Sequence, residues 1–141
     1  MKQFAVLFSI LMLAAGVAFA EDCAGGVCPL PSAGKAPDKV TTAELAGLIK
    51  AGSVIVIDAR PGVTTGLPGA KLLAGQPTAQ EAAKVIPSKN SPVVTYCGST
   101  SCFLSENLAK HLKTLGYTNV REYPQGYAGW KQAGNPVVPI Q

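Results

Sequence analysis

Apolar runs too short for helices alternate with stretches of helical period between residues 41 and 134. SVIVIDAR, residues 53–60, is a continuous β-branched run ending in a polar pair. Such runs suit a strand buried on both faces of a parallel sheet. Residues 70–74 are a short apolar run, and PVVTY at 92–96 and residues 119–123 are further short strand candidates. Thr41 with Glu44, and Thr78 with Glu81, have the spacing of a capping box, and each pair predicts a helix start. The first helix should bury Leu45, Leu48 and Ile49 and stop at Gly52; the second should run to about Ile86. From Phe103 the period is helical again, with Leu104, Leu108, Leu112 and Leu115 on one stripe and Gly116 where a C-terminal cap belongs. QGYAGWKQAG, residues 125–134, predicts a short helix that packs Trp130 into the core. Strands alternating with helices predict an α/β fold with a mostly parallel central sheet.

Residues 1–20 stand outside this alternation. MKQFAVLFSILMLAAGVAFA has Lys2 near its start, an apolar stretch and an Ala18-Phe19-Ala20 ending, which together predict a signal peptide cut before Glu21. The apolar stretch is marginal for spanning a bilayer, so the expected product is periplasmic or secreted, with no stable membrane anchor. Asp22 stands before Cys23, where a lipid-attachment signal would have a small residue. Residues 21–37, EDCAGGVCPLPSAGKAP, read as a flexible N-terminal arm, leaving one domain at residues 38–141. The formal charge of +4 falls by one with Lys2, and no basic run is interleaved with aromatics, so nucleic acid is not an expected partner.

An oxidising destination changes the meaning of the four cysteines. They form two identical spacings, Cys23-x4-Cys28 and Cys97-x4-Cys102, which suggests two local pairs. For Cys23 and Cys28 an arm disulfide is favoured over a shuttle that exchanges with the second pair. Cys97 follows the PVVTY run directly, at the carboxyl end of a strand, where parallel α/β sheets bind their ligands. Gly98, Ser99, Thr100 and Ser101 are small enough for their N–H groups to form an anion-binding nest. The helix that follows turns its positive end to the same place. A thiol there ionises readily, and the thiolate is the nucleophile. The spacing does not suit a zinc site, a C-x-x-C redox motif is absent, and Phe103 stands where a phosphatase loop would carry arginine, so neither metal nor cofactor is expected.

The order of these pieces resembles single-domain rhodaneses, a family of sulfurtransferases, over about residues 38–138. The resemblance rests on VIVIDAR with Asp58 and Arg60, on GLPGAKLL, on VVTYC, on LAKHLKTLGYTNV and on EYPQGYAGWKQAGNPV, in which Gln125-Gly126 replaces the family's glycine pair. It implies a rhodanese-like domain with helices on both faces of the sheet. It also implies that Cys97 carries sulfane sulfur as a persulfide and passes it to a thiol acceptor. The chain matches a variant with a second loop cysteine. Cys102 occupies the end of the loop where the common form has an arginine that helps hold thiosulfate. A polysulfide or protein persulfide is therefore the better expected donor, with Gly98 to Ser101 and Arg60 as the substrate-binding candidates.

Rival roles stand beside these. Cys102 is either a resolving thiol or a structural partner of Cys97. Asp58 is expected to brace the loops as a hydrogen-bonded carboxylate rather than to act as an acid or base. His111 is expected at the surface. For the whole protein, a dithiol–disulfide redox function or a non-catalytic binding module are the alternatives to sulfur transfer.

Overall fold

A computed structural model describes residues 38–140. Residues 1–20, read above as a signal peptide, residues 21–37, read as an arm with Cys23 and Cys28, and Gln141 lie outside the described residues. The chain runs α1 (Thr42–Lys50), β1 (Ile55–Asp58), β2 (Thr65–Gly66), β3 (Lys71–Leu72), α2 (Ala79–Val85), β4 (Val93–Tyr96), α3 (Leu104–Thr114), β5 (Val120–Tyr123), α4 (Gly126–Gln132) and β6 (Val138–Pro139). Four strands form a parallel sheet in the order β3-β1-β4-β5, which makes β1 and β4 central. Alternate residues of those strands serve two cores. Ile57 and Val93 join Leu108, Leu112 and Ile86 on the α2–α3 face. Val56, Val94 and Tyr96 join Leu45 and Trp130 on the α1–α4 face. Continuous apolar runs were the sequence signature of this two-sided burial. Each Leu or Val so buried contributes about 2 kcal/mol.

The helix starts follow their caps. Thr78 and Glu81 form the full reciprocal box, with Glu81 Oε2 accepting from Thr78 N–H at 2.7 Å. Thr41 accepts from Glu44 N–H, but the Glu44 carboxylate goes to Arg121 at 2.6 Å instead of returning to the cap. Tertiary pairing with β5 takes the Glu44 side chain in place of the local bond. Leu48 and Ile49 are half-buried and only Leu45 is fully covered. On α3 the expected stripe holds at Leu108 and Leu112, both 0 % exposed. Leu104 departs from it and is 43 % exposed, while its neighbour Ser105 is the buried residue of the first turn. Gly116 ends the helix at φ 89°, a left-handed conformation that glycine adopts freely. Trp130 is in the core, and its Nε1–H donates to Pro136 O at 2.8 Å.

The pairing of β2 with β6 was not legible in advance. It is antiparallel and two residues long, and it binds the last segment of the domain to the loop after β1. His111 is half-buried rather than free at the surface, with Nε2 2.9 Å from Pro77 O.

Candidate active site

β4 ends at Tyr96, so Cys97 stands at the carboxyl end of a central parallel strand. Cys97 and Cys102 are joined by a disulfide, with their Cα atoms 6.2 Å apart, within the span such a bond accepts without moving the backbone. Between them, Gly98 and Ser99 are half-buried while Thr100 and Ser101 are exposed. A tight turn, Cys102 N–H to Ser99 O at 3.1 Å, shapes the loop, and Ser99 Oγ and Ser101 Oγ lie 3.0 Å apart.

The backbone of α4 fixes the loop from one side. Tyr127 N–H donates to Cys97 O at 2.8 Å, and Ala128 N–H donates to Gly98 O at 2.9 Å. A trans peptide is planar, with its N–H opposite its C=O. Holding those two carbonyls on α4 therefore turns the N–H groups of Gly98 and Ser99 to the other side. Those of Gly98, Ser99, Thr100 and Ser101 have no acceptor among the described residues. α3 begins two residues after Cys102. Its N-cap, Phe103, makes no side-chain bond, so the first-turn N–H groups of α3 are also uncapped.

Gly126 makes the close approach of α4 possible. Its φ is 60°, and a Cβ there would stand 2.6 Å from Cys97 O and 2.9 Å from Ser99 N. Gly126→Ala is expected to destabilise the domain by more than about 1 kcal/mol, through backbone strain plus the clash. It should also slow any chemistry at Cys97 at a temperature where the domain remains folded. Thermal unfolding and Cys97 alkylation rates check both parts; an unchanged alkylation rate would remove α4 from the control of the loop.

Behind the loop lies a polar knot. Asp58 is 0 % exposed and accepts from Arg60 N–H, Nε and Nη2, the last at 2.6 Å. Tyr96 OH donates to Asp58 Oδ2 at 2.5 Å and accepts from Leu67 N–H at 3.1 Å. Burial raises the Tyr96 phenol above its ordinary range, with the bond to Asp58 adding to it. The hydrogen bond that Arg60 donates to Asp58 raises the guanidinium further, against desolvation. Arg60 Nη2 also donates to Thr65 O at 2.8 Å, and the guanidinium lies 4.5 Å over the Tyr127 ring. Nε and Nη2 of Arg60 are thus spent on the fold. Nη1 is its one nitrogen with no partner among the described residues, beside a loop to which Arg60 Cδ comes within 3.9 Å of a Cβ position on Gly98.

On the opposite face, Ser105 Oγ donates to Glu122 Oε1 at 3.0 Å, and Thr95 Oγ1 donates to Ser105 O at 3.0 Å. This buried cluster binds the first turn of α3 to β4 and β5. Sequence reasoning passed over it, because Ser105 and Glu122 carry no spacing signal. It also passed over Tyr127 and Ala128, whose contribution is made by backbone alone. The visible signal for the α4 approach was Gly126, the surviving member of the glycine pair. Among the described residues, no group of three or more His, Cys, Asp or Glu side chains could hold a metal ion.

Residues 41–133 match the family model described as the rhodanese-like domain. No curated protein matches the chain. Among solved structures, a Bacillus halodurans protein is 26 % identical, with 71 % of this chain and 75 % of that one covered and a TM-score of 0.64. A human single-domain sulfurtransferase is 22 % identical over 68 % of this chain and 96 % of its own, with a TM-score of 0.53. A thiosulfate sulfurtransferase from Pseudomonas aeruginosa is 22 % identical over 73 % of this chain and 20 % of its own, with a TM-score of 0.58. The family match spans the sheet, the cysteine loop and α4, and the chain belongs to the rhodanese-like domain family.

Proposed function

We propose that this protein is a periplasmic sulfurtransferase that carries sulfane sulfur as a persulfide on Cys97. The observation that carries the reading is the loop itself: Cys97 ends a central parallel strand, and α4 holds the Cys97 and Gly98 carbonyls so that neighbouring N–H groups face away from it. In the reduced protein the Cys97 thiolate attacks the sulfane sulfur, and the donor leaves with the electron pair of the broken bond. Free N–H groups of the loop stabilise the thiolate and the departing anion. A thiol acceptor then attacks the outer sulfur, and Cys97 leaves as thiolate. Alternatively the Cys102 thiolate attacks Cys97 Sγ of the persulfide, hydrosulfide leaves and the disulfide forms. The leader-like residues 1–20 support the periplasmic location, and no described helix is long and apolar enough to cross a membrane.

The second reading, a dithiol–disulfide redox protein, is favoured by the Cys97–Cys102 bond. Mass spectrometry of reduced protein after exposure to polysulfide separates the two. One added sulfur atom on the Cys97 peptide is expected; oxidation without any sulfur gain would leave the redox reading standing and end the first.

Donor choice follows from charge. The loop from Gly98 to Ser101 carries none, and two of the three Arg60 nitrogens are engaged. Thiosulfate turnover should be weaker than turnover of polysulfide. Cys102→Arg should raise thiosulfate use by adding charge-assisted hydrogen bonds. Equal rates for the two donors in the wild type would contradict this account of the loop.

A further inference from the structure

The two bonded residues of the oxidised loop are covered unequally. Cys97 is 2 % exposed, so a nucleophile from solvent has almost no access to it. Cys102 is only half-buried. Directly after it stand Phe103, 69 % exposed, and Leu104, 43 % exposed. Few large apolar side chains of the described residues are left so uncovered, and these two adjoin the more exposed cysteine. Gly98 to Ser101 are neutral, and on the next turn of α3 Glu106 is paired with Lys110 at 2.7 Å. An exposed apolar pair suits a protein surface of the same kind.

We propose that a protein dithiol docks on Phe103 and Leu104 and opens the disulfide by attack at Cys102 Sγ. This rests on the reading of Cys97 as the sulfur carrier, and it names the partner that returns the loop to work after sulfide release. One partner thiolate attacks Cys102 Sγ, and a bond forms between them. The Cys97–Cys102 bond breaks, and its electron pair leaves on Cys97 as thiolate. The second partner thiol, once deprotonated, attacks the partner sulfur of the mixed disulfide. Cys102 leaves as thiolate and takes up a proton, and the partner ends with an internal disulfide, two electrons poorer. Exchange runs faster when the attacked sulfur is accessible and the leaving thiol has a low pKa. Here the more exposed residue is Cys102, and the leaving sulfur belongs to the residue beside the free loop N–H groups.

The test uses the oxidised protein and a thioredoxin whose resolving cysteine is replaced by serine, so that a mixed disulfide accumulates. Peptide mapping without reduction is expected to find thioredoxin on Cys102. A bond to Cys97, or none to either loop cysteine, overturns the proposal. The Phe103→Ser, Leu104→Ser double variant then tests the docking surface. Its reduction by intact thioredoxin should slow about tenfold, the loss expected from removing a well-packed apolar anchor, while reduction by dithiothreitol stays as in the wild type. No slowing with thioredoxin, or equal slowing with both reductants, overturns the docking. Sulfur loading of pre-reduced wild type, read by mass, reports on the carrier role separately: it can fail while the adduct still forms on Cys102, or succeed while no adduct forms.

Discussion

Cys97→Ser is expected to abolish persulfide formation and leave the domain folded. Serine has nearly the shape of cysteine and cannot hold sulfane sulfur. The contacts that shape the loop are made by backbone, Cys97 O to Tyr127 N–H among them, and survive the change. What is lost in stability is a bond across a sequence separation of 5. A closure that short is worth about 2 kcal/mol in the chain-entropy account, within the range of an ordinary single substitution. Mass spectrometry after polysulfide treatment should show no added sulfur at position 97, and circular dichroism should show the wild-type fold. Sulfur transfer by that variant at the wild-type rate would end the mechanism.

The largest stability effect is expected at Asp58. Its carboxylate is fully buried and accepts from Arg60 and Tyr96 at once. Asp58→Asn keeps the shape and removes the charge. Arg60, with a side chain 16 % exposed, is then left without its counter-charge. Breaking such a pair from one side costs about 3 kcal/mol. The cost should fall when Arg60→Leu is added, because the stranded charge goes with it. Denaturant unfolding of the two single variants and the double variant measures this. Additive losses would show that Asp58 and Arg60 stabilise the domain independently.

How much of this could be read from the sequence depends on whether a signal is local. β1 and β4 announced themselves because strands buried on both faces have apolar residues at consecutive positions, as in Ile55 to Ile57 and in Val93 and Val94. The Thr78–Glu81 box was legible because both partners lie within one turn. Glu44 has the same spacing, and yet its carboxylate is drawn 77 residues along the chain to Arg121, which no local pattern encodes. β2 and β6 are too short to have a period. Cys97 and Cys102 were visible as a spaced pair in a loop of small residues. The N–H groups of Tyr127 and Ala128 were not, because a backbone donor leaves no mark on composition. The role of Arg60 was left open by the sequence, and its geometry divides it: two nitrogens hold Asp58 and Thr65, and one is left beside the loop.

The grip of α4 on the Cys97 and Gly98 carbonyls has a kinetic consequence. In the proposed cycle the thiolate and the persulfide place negative charge at the loop, and the disulfide does not. A loosely held loop would flip its peptides to follow that charge, and every turnover would include the cost of turning them. Here two backbone hydrogen bonds, worth about 1 kcal/mol each, set the peptide planes when the domain folds. The same dipoles then meet every oxidation state of the sulfur. Reorganisation energy is therefore expected to be small, with the approach of the incoming thiol setting the speed of each exchange.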